Sequence, residues 1–139
     1  MTAPHPLLFD ESDAALDRLR AVCLDLPEAV EVLAWGRPTF RVGKIFVVAG
    51  ASMDRPHSMV FKPDPEERRA LVQDARFFIP PYYGPAGWLA IDFGAPDTDW
   101  VELAELVETS YRQVALKRQL AKLEQWRAES ARNGSEELL

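Results

Sequence analysis

Apolar residues recur at helical spacing from Ser12 to Leu26, where Ala15, Leu16, Leu19, Val22, Cys23 and Leu26 form one stripe and Asp17, Arg18 and Arg20 fall outside it. Ser12 or Asp13 suits the cap and Pro27 the stop. The period then changes to two. Val30–Trp35 alternates, with Val30, Val32 and Ala34 on one face and Glu31, Leu33 and Trp35 on the other. Gly36-Arg37-Pro38 predicts a turn, and Thr39–Val42 with Ile45–Ala49 a tight hairpin around Gly43-Lys44. Gly50–His57 predicts a longer turn before a fourth strand, Ser58–Lys62. Such short connections favour an antiparallel meander over parallel crossovers.

Asp64-Pro65-Glu66-Glu67 sets a capping aspartate, a first-turn proline and a capping-box glutamate in a row. This predicts a second helix to about Ala75, with Ala70, Leu71 and Ala75 facing inward. Phe77–Gly87 reads as a loop rich in proline, glycine and aromatic residues, and Trp88–Phe93 as the last strand. Asp97–Asp99 begins a helix whose Trp100, Leu103, Ala104, Val107, Tyr111 and Val114 share a face; Leu116, Leu120 and Leu123 predict a further helical piece. The order α-β-β-β-β-α-β-α implies an α+β fold, an antiparallel sheet with helices packed on one face. Residues 1–125 are expected to form a single domain and 126–139 a frayed tail.

Composition bounds the chemistry. The 139 residues include a single cysteine, Cys23, so no internal disulfide forms and a reducing, cytoplasmic setting is expected. The first residues, Met1–Phe9, lack the basic-then-apolar pattern of a secretory leader, and no apolar run approaches the roughly 20 residues of a membrane span. The net charge of −6 is uneven: residues 1–34 hold seven acids and two bases, 35–100 eight of each, 101–139 seven and six. An acidic chain is repelled on average by polyanions, so a nucleic-acid role requires a local basic face.

The pieces Leu26-Pro27, Trp35-Gly36-Arg37-Pro38-Thr39-Phe40-Arg41-Val42-Gly43-Lys44-Ile45-Phe46, Phe61-Lys62-Pro63-Asp64-Pro65, Ile79-Pro80-Pro81-Tyr82, Gly87-Trp88-Leu89 and Ser110-Tyr111 occur in this order over roughly residues 12 to 120. In that order and spacing they resemble the MmcQ/YjbR family of small bacterial proteins. The resemblance implies a frataxin-like (CyaY-like) α+β fold and a DNA-binding role. Many members carry a histidine, an asparagine and basic residues around the tryptophan after the loop; here Tyr82-Tyr83-Gly84-Pro85-Ala86-Gly87 carries no charge.

No metal, cofactor or catalytic site is signalled. His5 and His57 stand apart, without ligand spacing, and there is no phosphate-binding glycine motif or nucleophile elbow. Asp10, Glu11, Asp13 and Asp17 suit a solvated helix face, and Cys23 a small buried hydrophobe. An aromatic and basic constellation remains. Arg37, Arg41, Lys44 and Lys62 suit phosphates, and Trp35, with Phe40, Tyr82, Tyr83 and Trp88 nearby, suits base stacking, together a DNA-binding surface. The plainer reading, which ranks first, has Trp35, Phe40 and Trp88 closing the core edge and Lys62 capping a strand end. A different class, an adaptor for a small molecule or protein partner, would use a pocket under the 77–87 loop lined by Tyr82, Tyr83, Trp88 and Tyr111. A second basic cluster, Arg112, Lys117, Arg118 and Lys122, suits an exposed helix stripe.

Overall fold

The computed structural model describes residues 13–137. His5, Asp10, Glu11 and Ser12, weighed above, lie outside them. Helix α1 (Ala14–Leu24) starts on Asp13, whose carboxylate accepts from the backbone N–H groups of Ala15 and Leu16 at 3.0 and 3.1 Å. Its stripe, Leu16, Leu19 and Cys23, is buried, and burial pushes the Cys23 thiol up.

Strands β1 (Val30–Ala34), β2 (Arg37–Val42), β3 (Lys44–Ala49) and β4 (Ser58–Phe61) form the meander. Helix α2 (Arg68–Gln73), strand β5 (Phe77–Phe78) and strand β6 (Leu89–Asp92) follow, then α3 (Trp100–Val114) and α4 (Lys117–Glu137). The six strands run β1-β2-β3-β4-β6-β5, every neighbouring pair antiparallel. The expected architecture stands, with Phe77–Phe78 added as a short edge strand from within the aromatic loop.

Several local expectations are corrected. The first hairpin turns at Trp35-Gly36, not at Gly36-Arg37-Pro38, because Ala34 pairs with Arg37 and both turn residues have positive φ, 54° and 79°. Pro38 is tolerated in β2 because the ladder to β3 begins only at Thr39↔Val48. Helix α2 starts at Arg68, and of the three inward residues expected there only Leu71 packs on the core, while Ala70 and Ala75 are exposed. Val30, Val32 and Leu33 are all exposed, since β1 is a sheet edge. The helical piece after Leu116 is a separate helix: Ala115 is extended and the Gln119 side chain accepts from the Leu116 N–H at 2.7 Å.

The core lies between one sheet face and α1 and α3. Phe40, Val47, Phe61 and Leu89 form a cross-strand row there, with Ala49, Met59, Ile91 and Phe77 in the next row. Where the register shifts in β3, Phe46 is the extra residue. Ser110 of α3 serves that bulge: its hydroxyl donates to the Phe46 carbonyl at 2.5 Å and accepts the Lys62 N–H at 2.9 Å. Gln113 donates to the Lys62 carbonyl at 2.8 Å, so α3 is fastened to the point where β3 and β4 part. The neighbouring Tyr111 is fully buried against Phe46 and donates to the Pro27 carbonyl at 2.9 Å. Its phenol is pushed up by burial, with the Glu28 charge adding to the effect.

Candidate functional site

Among the described residues, neither α1 nor α3 packs on the opposite sheet face. By the pairing register, the residues pointing there are Val30, Val32 and Ala34 of β1, Arg37, Thr39 and Arg41 of β2, and Ile45 and Val48 of β3. Val60 of β4, Ala90 and Asp92 of β6 and Phe78 of β5 continue the row. Val48, Ala51, Val60 and Ala90 make a small second core, roofed by Phe78, Tyr83 and Trp88. The aromatic loop therefore folds across this outer face. Tyr83 leans on Trp88 with ring centroids 5.7 Å apart, the three-residue helical turn Gly84–Ala86 follows, and Arg68 donates to the Gly87 carbonyl at 2.9 Å.

Between this loop and the first hairpin lies a cleft of about 420 Å³, lined by Trp35, Arg37, Val48, Tyr82 and Tyr83. Val48, only 2% exposed, is its floor, and Tyr83 a braced wall. Trp35 and Tyr82 are the lips, 61% and 92% exposed, far more than rings that close a core. The Arg37 guanidinium reaches the Ala51 carbonyl at 3.5 Å, a long contact that leaves its remaining donors for a ligand.

Of the four cations singled out, Arg37 and Arg41 share the outer face. Arg41 donates to the Thr39 hydroxyl at 3.0 Å, which itself donates to the Val32 carbonyl at 2.6 Å. Lys62 lies one residue past the end of β4, where its backbone N–H and carbonyl are both bonded to α3. Lys44 pairs with Val42, a core residue, and so points in the opposite sense from Arg41 at the hairpin end. Among the described residues, none of these four has a carboxylate within ion-pair distance. The one carboxylate of the outward row, Asp92, is held by Arg55 at 2.7 Å, and Arg55 in turn covers the Phe78 ring. Phe40 is on the core face, fully buried. Tyr111 lies in the core too, across the sheet from Tyr82, Tyr83 and Trp88. The pocket under the loop thus gains Trp35, Arg37 and Val48 and includes neither Tyr111, which is in the core, nor Trp88, which packs behind Tyr83 on the second core.

The C-terminal basic cluster is largely neutralised. Arg112 pairs with Glu124 at 2.6 Å and Glu108 at 3.3 Å, Arg118 with Glu28 at 2.6 Å, and Lys122 lies over Trp126. Sequence reasoning missed Val48 as the cleft floor. It also missed the approach of Tyr82 to Trp35, for which no local signal exists across that separation.

The fold and this outer face define a small α+β protein whose outer sheet face carries an aromatic, cationic cleft beside the loop that crosses it. The chain belongs to the YjbR family, whose model matches residues 24–113. No curated protein matches it. In fold it is similar to the crystal structure of Deinococcus radiodurans protein DR2400, which carries a DUF419 domain. That match has a TM-score of 0.62 at 24% identity and covers 78% of this chain and 87% of that one.

The residue groups that carry the family resemblance divide by role. Leu26-Pro27, Gly43 and Ser110-Tyr111 are explained by the fold, through the Tyr111–Pro27 hydrogen bond, the second hairpin turn and the Ser110 fastening. Trp35, Arg37 and Tyr82 are not members of either core, and they converge on the cleft.

Proposed function

We propose that this protein is a non-enzymatic binding module that takes single-stranded nucleic acid on its outer sheet face. Bases stack on Trp35, Tyr82 and Tyr83, and phosphates pair with Arg37, Arg41 and Lys62. The observation that carries the reading is the gathering of exposed rings and carboxylate-free cations on one face of an acidic chain. Carboxylates are engaged elsewhere, as in the Arg20–Glu31, Arg76–Glu102 and Arg118–Glu28 pairs, so the outer face is locally positive. A concave aromatic cleft suits unstacked bases better than a duplex, whose bases present only groove edges. Four strand steps separate Arg37 from Arg41, about 13 Å, so the two cations reach different phosphates. The lone buried Cys23 suits a cytoplasmic, reducing setting.

Titration of a labelled single-stranded oligonucleotide at two salt concentrations tests this. With three phosphates neutralised, the slope of log K against log salt should be about −2, or roughly 20-fold weaker binding between 50 and 200 mM salt. No measurable affinity at low salt overturns the reading. One feature favours a second reading, a small planar anion as ligand: the cleft volume falls within the usual range for small-molecule sites and its walls are mainly apolar.

A further inference from the structure

Both lips of the cleft sit on left-handed backbone. Among the described residues, Trp35 (φ 54°), Tyr82 (φ 66°) and Glu28 (φ 61°) are the non-glycine residues with positive φ, so two of the three are the exposed cleft aromatics. A two-residue hairpin turn with both φ values positive favours Asn-Gly, yet Trp-Gly stands here. A bulky aromatic residue in this region costs free energy that asparagine or glycine would largely avoid. Neither ring recovers that cost by burial, since both project into water. Two large, exposed rings on costly backbone thus line one cleft together with one guanidinium.

We infer that Trp35 and Tyr82 are a clamp for a single nucleobase, with Arg37 pairing with the phosphate of the same nucleotide; this rests on the proposed reading of the outer face and names the unit it recognises. The chemistry selects among occupants. Aromatic walls alone would also suit a quaternary ammonium group, but the Arg37 charge in the cleft repels a cation. A bare anion would use Arg37 and leave the rings idle. A planar ring carrying an anionic ester uses all three, and the cleft of about 420 Å³ takes one such unit, not a stack of several.

The test is calorimetric titration of the full chain with adenosine 5′-monophosphate, adenosine and inorganic phosphate, beside Trp35→Asn and Tyr82→Asn variants. The monophosphate should bind saturably, on the order of 10-fold tighter than either fragment, and each variant should lose on the order of 10-fold. Each variant should also melt about 2–5 °C higher, because asparagine tolerates the left-handed backbone. That rise is what a structural plug would not give. Equal affinity for inorganic phosphate, unchanged binding in the variants, or a fall in melting temperature would each overturn the clamp. Oligonucleotide binding that survives both substitutions also removes the clamp while leaving the broader reading of the face intact. Monophosphate binding without oligonucleotide binding keeps the clamp and removes the polymer.

Discussion

The two faces of one sheet obey opposite rules. On the helix side exceptional groups are answered: the bulge at Phe46 by Ser110, the Tyr111 phenol by Pro27, the Glu31 carboxylate by Arg20 at 2.5 Å. On the other side, among the described residues, no carboxylate lies within ion-pair distance of Arg37 or Arg41, Trp35 and Tyr82 are largely exposed, and the backbone beneath those rings adopts a costly conformation. Strand β2 carries both rules in alternate residues, Phe40 inward and Arg41 outward. The difference separates what the fold requires from what it carries.

Substitutions along β2 should expose that contrast most strongly. Phe40→Ala should cost about 3–5 kcal/mol in denaturant unfolding, whereas Arg41→Ala should change stability by only about 0.5 kcal/mol. If Arg41→Ala were as damaging as Phe40→Ala, the outer face would be part of the scaffold. Ser110→Ala comes next. It strands the Phe46 carbonyl and the Lys62 N–H and should cost about 1–3 kcal/mol, measured the same way. Tyr111→Phe removes one buried hydrogen bond and should cost about 1 kcal/mol. A Tyr111→Phe protein as stable as the parent would mean that the Pro27 carbonyl finds another donor.

Acid sharpens the contrast least, but with a definite sign. Hydrogen bonds from the Arg76 side chain and backbone hold Asp74 at about 2, below its ordinary 3.8. Asp13, although burial opposes the shift, is lowered by His57 and by the helix N-H groups it caps. A carboxylate with a depressed folded value adds stability above its unfolded value and loses it as pH falls through the folded one. Melting temperature should therefore decline between about pH 4 and pH 2. Asp74→Asn should flatten part of that decline, and an unchanged pH profile in Asp74→Asn would show that the Arg76 pairing adds nothing. Asp74 is partly exposed and pairs with a well-exposed Arg76, so solvent screens the pair and the effect is small.

Most of the fold was legible because its punctuation is local. Asp13, Pro27, Gly43 and Asp99 mark ends wherever they stand, and period-two alternation marks the strands. The first turn was misplaced because tryptophan is no turn residue by propensity; its left-handed backbone is imposed by the hairpin register. Arg37 and Trp35 were legible as site candidates through their chemistry. Their partner Tyr82 was legible only as an aromatic residue, since its nearness to Trp35 depends on the 77–87 loop folding across Val60 and Ala90. Tyr111 was assigned to the pocket because one helical stripe says nothing of which sheet face it meets.

The most direct measurement is a map of backbone amide and indole N–H resonances during titration with a short single-stranded oligonucleotide at low salt. Expected are shifts confined to Trp35–Arg41, Val48, Lys62 and Tyr82–Trp88, with α1 and α4 silent and α3 silent away from its Ser110 and Gln113 contacts to Lys62. Shifts centred on those helices, or none anywhere, would contradict the assignment of function to the outer face.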